Sequence, residues 1–332
     1  MTDIVDALGY DPELPPELAT ALIELSAWSR SQLLVEQDAS TPTRTLYHYT
    51  GGDGLRGILS RQRIWCFSHL HQSDPTEFEY SLAIARRVIR EVGNCDDFFT
   101  RHFCACLDDV LETNGLAGPF DFYLFSLSRH RDHGTQWREY GRDGYGYAIG
   151  FAPSHFQPDQ DRLDCDPTKN LHVGRVIYGD AATADRHRLV VAHTAEITSR
   201  VGNANIAAVR AVKPAHYLVS IVRELLASQV VWNCLTAKDQ RFADEAEVRC
   251  IIMNVRANFD PYRRALGERN YVEHELPLRA NGAIAEILVG PSAPSDAEAS
   301  LRAFLDREGY PEDIPILRSS ASLRPVDLLR NY

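Results

Sequence analysis

The chain reads as a mixed α+β protein on two observations: short apolar runs alternate with amphipathic helical stretches, and a strand, helix, strand unit near the end, from Glu286 to Leu317, has the form of a crossover connection. At 332 residues and 44% hydrophobic content it can bury a full core, as one large domain or two. No internal repeat or low-complexity tract occurs, so solenoid and linker architectures fall away.

Residues 1–42 read as an N-terminal helical accessory segment. After Asp11-Pro12 and Pro15-Pro16, the residues Leu18, Leu22, Leu25 and Trp28 recur at helical spacing and form a stripe that must pack on something. Residues 43–330 are expected to form a single α+β domain with a helical insertion near 180–240. It opens with a strand over Thr45–Thr50, which Gly51, Gly52 and Gly54 break before a brief helix carrying Leu55, Ile58 and Leu59. Ile64–Phe67 is the next strand. Ser73-Asp74-Pro75-Thr76-Glu77 then starts a helix, with Asp74 as N-cap, Pro75 in the first turn and Glu77 where a capping-box carboxylate belongs. Phe78, Leu82, Ala85, Ile89 and Val92 form the buried stripe of that helix.

Phe120–Leu127 and Gly144–Phe151 read as strands. The second carries Tyr145, Tyr147, Ile149 and Phe151 on one face and only Gly146, Ala148 and Gly150 on the other; so bare a face implies close approach by another backbone or a ligand. Ala215–Val231 is helical, Glu245–Met253 returns to β character and Glu286–Gly290 is a strand. Ser295-x-x-Glu298 opens a helix bearing Leu301, Phe304 and Leu305, and Ile314–Leu317 supplies the last strand.

The net charge of −11 opposes non-specific attraction to phosphate backbones but leaves room for a local basic patch. No stretch approaches the run of about 20 apolar residues that a membrane span needs. Asp3 and Asp6 stand where a leader peptide would be basic, so a cytoplasmic protein with no membrane partner is expected. Seven cysteines without a C-x-x-C pair signal neither a disulfide framework nor a zinc ribbon. Cys95, His102, Cys104 and Cys106 lie close together, but Cys104 and Cys106 lack zinc-ligand spacing, so buried thiols and no metal are expected.

Two motifs carry chemistry: Leu46-Tyr47-His48-Tyr49-Thr50 near the start and Glu245-Ala246-Glu247-Val248-Arg249 far downstream. On a strand, positions i, i+2 and i+4 share a face, so Glu245, Glu247 and Arg249 are expected to point together. Each has a structural alternative. His48 can tie two strands together through its ring nitrogens, the acidic run can be a solvated face with ion pairs worth about 1 kcal/mol or less, and Glu77 can be a cap. Trp137 and Tyr140 share a helix face, following Phe125-Ser126 and a basic stretch of Arg129, His130, Arg131, His133, Arg138 and Arg142. Such a stretch suits a pyrophosphate or nucleic-acid phosphate, or else is an exposed loop beside a buried Trp. There is no G-x-S-x-G elbow, Walker loop, helix-opening G-x-G-x-x-G or H-E-x-x-H helix.

Tyr47-His48-Tyr49-Thr50, Leu55–Leu59 and Ile64-Trp65, in that order, resemble the opening of the ADP-ribosyltransferase superfamily in its diphtheria-toxin and poly-ADP-ribose-polymerase branch. Tyr49 departs from it, since the familiar enzymes carry Gly there. Most of residues 45–325 are also similar to a bacterial family catalogued as domain of unknown function 2971. That similarity rests on Tyr47–Thr50, Ser73–Glu77, Phe125-Ser126, Trp137 with Tyr140-Gly141, Gly144–Phe151 and Glu245–Arg249.

The transferase resemblance implies a split, strongly bent mixed β-sheet core with surrounding helices and NAD bound, as substrate, in a cleft between the halves. It implies that His48 hydrogen-bonds the cofactor ribose, that Thr50 supports the strand, and that Trp65 or Tyr80 stacks on the nicotinamide. Tyr49, Ser126, Trp137, Tyr140 and Arg249 complete the expected cofactor site. Glu247 is the expected catalytic carboxylate, with Glu245 second for acceptor activation. A fixed carboxylate stabilises the oxocarbenium-like transition state of glycosidic cleavage more than the ground state. The implied activity is that of an NAD-dependent ADP-ribosyltransferase or NAD glycohydrolase, as a toxin or defence effector, with protein, nucleic acid, a small molecule or water as acceptor. The alternatives are a catalytically inactive nucleotide or nucleic-acid binding module on the same scaffold, and a partner-binding protein.

Overall fold

The computed structural model describes residues 14–71, 76–114, 120–156, 165–225 and 229–323. The expected cap at Asp74-Pro75 and the Asp11-Pro12 pair lie outside the described residues. The chain folds as an α+β protein around a mixed, mostly antiparallel sheet. Its strands are β1 (Leu46–Thr50), β2 (Arg63–Ser68), β3 (Phe120–Ser128), β4 (Tyr147–Phe151), β5 (Leu171–Arg175), β8 (Glu247–Val255), β9 (Arg264–Leu266), β10 (Arg269–Glu275), β11 (Ile284–Val289) and β12 (Ile316–Arg318). They run in the order β12-β11-β4-β1-β3-β2-β10-β9, with β8 along the other edge of β3 and β5 outside β8. A separate parallel pair joins β6 (Ile177–Tyr178) to β7 (Ala237–Lys238).

The sheet forks at β3. β8 pairs with β3 over its whole length, so β1 and β2 share the remaining edge: Tyr47 faces Ser128, whereas Phe67 and Ser68 face Leu124 and Tyr123. Between the two contacts the backbone of Ser126 has no strand partner on that edge. The fork follows from the sequence, because Gly51, Gly52 and Gly54 end β1 and the helix α1 (Gly52–Arg61) offsets β2 along β3.

Strand alternation divides the side chains between two cores. On one face Phe122, Leu124 and Ile251 pack under helices α2 (Thr76–Gly93), α3 (Phe98–Asn114), α4 (Asp180–Ala204), α5 (Pro214–Leu225) and α6 (Val231–Leu235). The N-terminal helix α0 (Pro16–Ser40) belongs to that same core: Leu18 and Leu25 have no exposed surface and sit with Phe99, Phe103, Tyr217 and Trp232. Glu36 accepts from Trp232 Nε1 at 2.6 Å and from Arg186, which fastens α0 to α4 and α6. On the opposite face Tyr123, Phe125, Leu127, Val248, Cys250 and Ile252 pack against α1 and a C-terminal helix (Ala297–Arg307). That last helix connects β11 to β12 in parallel, the crossover expected from Glu286–Leu317. No helix of the described residues is long and apolar enough to cross a membrane.

Two of the expected strands that start later than their sequence pattern do so for local backbone reasons. The strand predicted from Gly144 begins at Tyr147, because Gly144 has φ +81° and Gly146 donates to the Gly141 carbonyl instead of a ladder partner. The bareness of the 146–150 face reflects neighbouring chain: a Cβ on Gly146 would strike the Thr50 carbonyl, and one on Gly150 would lie 3.0 Å from Tyr47 and Thr45. The strand predicted from Glu245 begins at Glu247, because Ala246 adopts a left-handed conformation (φ 45°) after a 3₁₀ turn over Gln240–Glu245.

Leu25→Ala is expected to lower stability by ~2–5 kcal/mol in urea denaturation, as a large-to-small change inside a shared core. Unchanged stability would mean that the N-terminal helix folds apart from the sheet.

Candidate functional site

The 3₁₀ turn and the strand β8 bring an unusual set of charges onto the helical face of the sheet. Glu247 and Arg249 alternate onto that face beside Ser126 of β3, and both are buried, at 5% and 3% exposure. Arg249 forks onto Glu247, with Nε and Nη2 at 2.9 and 3.0 Å from the two carboxylate oxygens. Its Nη2 also pairs with Glu77 from the first turn of α2, and its Nη1 donates to the Leu235 carbonyl at 2.6 Å. Lys238 of β7 donates to Glu245 at 2.5 Å and lies 3.3 Å from Glu77 and 3.4 Å from Glu247. Three carboxylates therefore enclose two cations.

Neutral groups hold the set in place. Tyr140 donates its hydroxyl to Glu245 at 3.0 Å, and the Tyr178 hydroxyl accepts from the Glu247 amide at 2.8 Å. Ser128 Oγ and Gln136 Nε2 donate to the Glu245 carbonyl, and Ser126 of β3 lies beside the Glu247 carboxyl on the same face and favours its charged form. Burial raises the Glu247 carboxyl above its ordinary range, with Lys238 acting against that shift. Burial opposes the charge on Lys238, but Glu247 and Glu245 outweigh it and push the ammonium above its usual value, which favours the charged form. Burial pulls the Arg249 guanidinium down, and direct contact with Glu77 and Glu247 keeps it charged.

One side of the set opens to solvent. Glu77 and Lys238 reach a cleft of about 270 Å³ whose walls include Tyr80, Asp239, Arg241 and Phe242. That volume sits just under the ~300 Å³ at which small-molecule sites usually begin, enough for a ring and a sugar but short of a dinucleotide. Tyr80 is tied back through its hydroxyl to Asp180 at 2.8 Å, and Lys238 lies 5.0 Å from the Phe242 ring centre. Among the described residues no group of three or more His, Cys, Asp or Glu could hold a metal ion.

His48 lies elsewhere. It leaves β1 on the face opposite Tyr47 and Tyr49, stacks on Phe125 at 4.3 Å, and places Nδ1 3.0 Å from the Ser126 carbonyl. A carbonyl only accepts, so Nδ1 carries the proton and the ring caps the acceptor stranded by the fork. His48 and Glu247 thus project from opposite faces of the sheet, with Ser126 of β3 between them. The expectation of one crevice walled by the imidazole and the carboxylate is corrected: β3 stands between them. The strand-tying alternative describes the geometry of His48.

Other expected residues divide the same way. Glu245, Glu247, Arg249, Ser126 and Tyr140 meet in the charged set, and Tyr80 borders its cleft. Glu245 does so from outside the strand, since the left-handed Ala246 breaks the expected i, i+2 alignment. Tyr49 and Trp137 are closed to a cofactor: both are buried, edge to face at 4.9 Å, with their polar atoms on the His130 carbonyl and Asp132. Thr50 packs against Gly54 where α1 begins, and Trp65 stacks on Tyr271 at 4.7 Å. The basic stretch is partly spent internally, with Arg131 forked onto Glu286 and Arg142 packed on Gly51.

Sequence reasoning missed two residues. Glu77 is no simple cap, because its side chain turns inward to Arg249 and Lys238. Lys238, in Thr236-Ala237-Lys238-Asp239, had no motif to mark it, and the pairing of β7 with β6 brings it to the three carboxylates. The acidic run is likewise no solvated face.

Residues 136–250 match a family described as a protein of unknown function, DUF2971. The match contains Tyr140, Lys238, Glu245, Glu247 and Arg249 and stops short of His48 and Glu77. Neither a curated protein nor a solved structure matches the chain.

Arg249→Met is expected to cost about 3–5 kcal/mol in denaturant unfolding, because it leaves two buried carboxylates facing only Lys238. A cost under about 1 kcal/mol would mean that the set is hydrated rather than buried. Acid sensitivity is a second expectation. Burial lowers His48 and His172 from an ordinary 6.5 to about 4. The unfolded chain then takes up these protons first, so stability is complete above pH ~6.5 and falls as pH drops toward 4, by up to about 1.4 kcal/mol per unit for each ring. His48→Gln should flatten this limb in pH-dependent urea melts; an unchanged slope would contradict a buried neutral ring.

Proposed function

We propose that the chain is an NAD-consuming glycosyl-transfer enzyme, an ADP-ribosyltransferase or NAD glycohydrolase, whose reacting centre is the cleft floored by Glu77 and Lys238. The supporting observation is the set of three carboxylates around two cations, which places more acidic than basic groups at the foot of an open cleft. In the reaction the bond between ribose C1′ and the nicotinamide nitrogen breaks, and the electron pair leaves with nicotinamide. The resulting oxocarbenium is stabilised by prearranged negative charge. Water or an acceptor hydroxyl or amine then bonds to C1′ and gives up its proton to a carboxylate.

Within this scheme Glu77 is the carboxylate that borders the cleft and faces the ribose, while Glu247 and Glu245 fix the field through Arg249 and Lys238. Tyr80 and Phe242 flank the bound ring. His48 positions the β1–β3 junction and touches no substrate. The similarity to the ADP-ribosyltransferase opening and the forked sheet favour the same reading, and a role as a toxin or defence effector goes with it.

A second reading is a catalytically silent nucleotide or nucleic-acid binding module on the same scaffold. It draws support from the completeness of the pairing, since each charged member of the set already has a partner of opposite sign.

Incubation of the purified protein with NAD, alone and with cellular protein and RNA, tests both. Release of nicotinamide is expected, with Glu77→Gln and Glu247→Gln each cutting turnover by on the order of hundredfold while NAD binding changes far less. Thermal stabilisation by nucleotide without any product would select the silent module. A folded protein that neither binds nor turns over NAD would overturn the enzyme.

A further inference from the structure

The free end of the sheet carries aromatic and basic side chains on its outer face. Register places Trp65 and Phe67 of β2, Tyr271 of β10 and Arg264 of β9 on one face, since Tyr271 faces both Phe67 and Arg264. Ile64, Cys66 and Val272 point the other way, into the second core. Trp65 stacks on Tyr271 at 4.7 Å, and Phe67 follows at 5.7 Å from the same ring. Arg61 lies over Trp65 and Arg269 over Phe67, at 5.7 and 4.6 Å from the ring centres. Trp65 and Phe67 are only half-buried, although a solvent-facing strand position needs no large aromatic.

Charge on this face departs from that of the chain. Glu273 and Glu275 answer Arg63, with Arg61 3.7 Å from Glu273. Arg264 and Arg269 are exposed and have no carboxylate partner among the described residues. The face is thus locally cationic in a protein of net charge −11.

We infer that the outer face of the β2–β10–β9 end is a stacking surface for single-stranded nucleic acid. Sheet-borne aromatics offer π-faces to successive unpaired bases, and Trp65 and Phe67, two residues apart, stand ~6.6 Å from each other along β2. Arg61 and Arg269 can lift from the rings onto the backbone phosphates, and Arg264 extends that contact along the hairpin. A duplex keeps its bases stacked on one another and gains only the charge contacts.

Fluorescence anisotropy with labelled oligouridylate, oligothymidylate and a duplex of equal length tests the inference. Single strands are expected to bind at least tenfold tighter than duplex and to quench Trp65. Trp65→Leu should weaken binding roughly tenfold. Arg264→Glu with Arg269→Glu, a pair exposed enough to leave the thermal melt unchanged, should weaken it further and flatten its salt dependence. A preference between the RNA and DNA strands identifies the partner. Equal affinity for duplex, or single-strand binding untouched by both sets of substitutions, would overturn the inference, as would no binding to any strand. None of these outcomes depends on NAD turnover, because the surface shares no residue with the cleft.

Discussion

Arg249 is the constraint around which the charged centre is built. A guanidinium at 3% exposure in a sheet tolerates burial only if its donors are matched, and here Glu247, Glu77 and the Leu235 carbonyl match them. Each partner comes from a different element: β8 itself, the first turn of α2, and the end of α6. Charge balance then requires a further cation, supplied by Lys238 on β7, and Glu245 completes the enclosure. One buried side chain thereby dictates where two helices and a short strand end against the sheet.

The fork at β3 sets the other limit. Because β1 and β2 share one edge, the Ser126 carbonyl loses its ladder partner, and His48 takes that place from the far face. The Ser126 side chain meanwhile lies on the near face with Glu247 and Arg249. A single residue of β3 joins the two motifs that stand out in the sequence, as a wall between them and not as the floor of a shared crevice.

Much of the fold was legible beforehand. Periodicity located the helix bearing Phe78 and Ile89, the crossover after Glu286 and the stripe of Leu18, Leu22 and Leu25, since burial writes its period directly into the apolar residues. The centre was legible only in part. Glu247 and Arg249 stood out as charged residues on an apolar strand, but the side of the sheet on which His48 would fall depends on the register of β1 against β4 and β3, which no local pattern encodes. Lys238 and Glu77 were hidden for a related reason. Their importance comes from long-range partners, and locally one is a lysine after a helix and the other resembles a cap.

The organisation of the centre is tested most directly by a double-mutant cycle between Glu77 and Arg249, using Glu77→Gln, Arg249→Met and both together, read from urea unfolding. A buried, mutually dependent pair predicts a favourable coupling of about 2–3 kcal/mol. Single changes that add to within about 0.5 kcal/mol would contradict it, and would mean that helix and sheet meet there without being held by these charges.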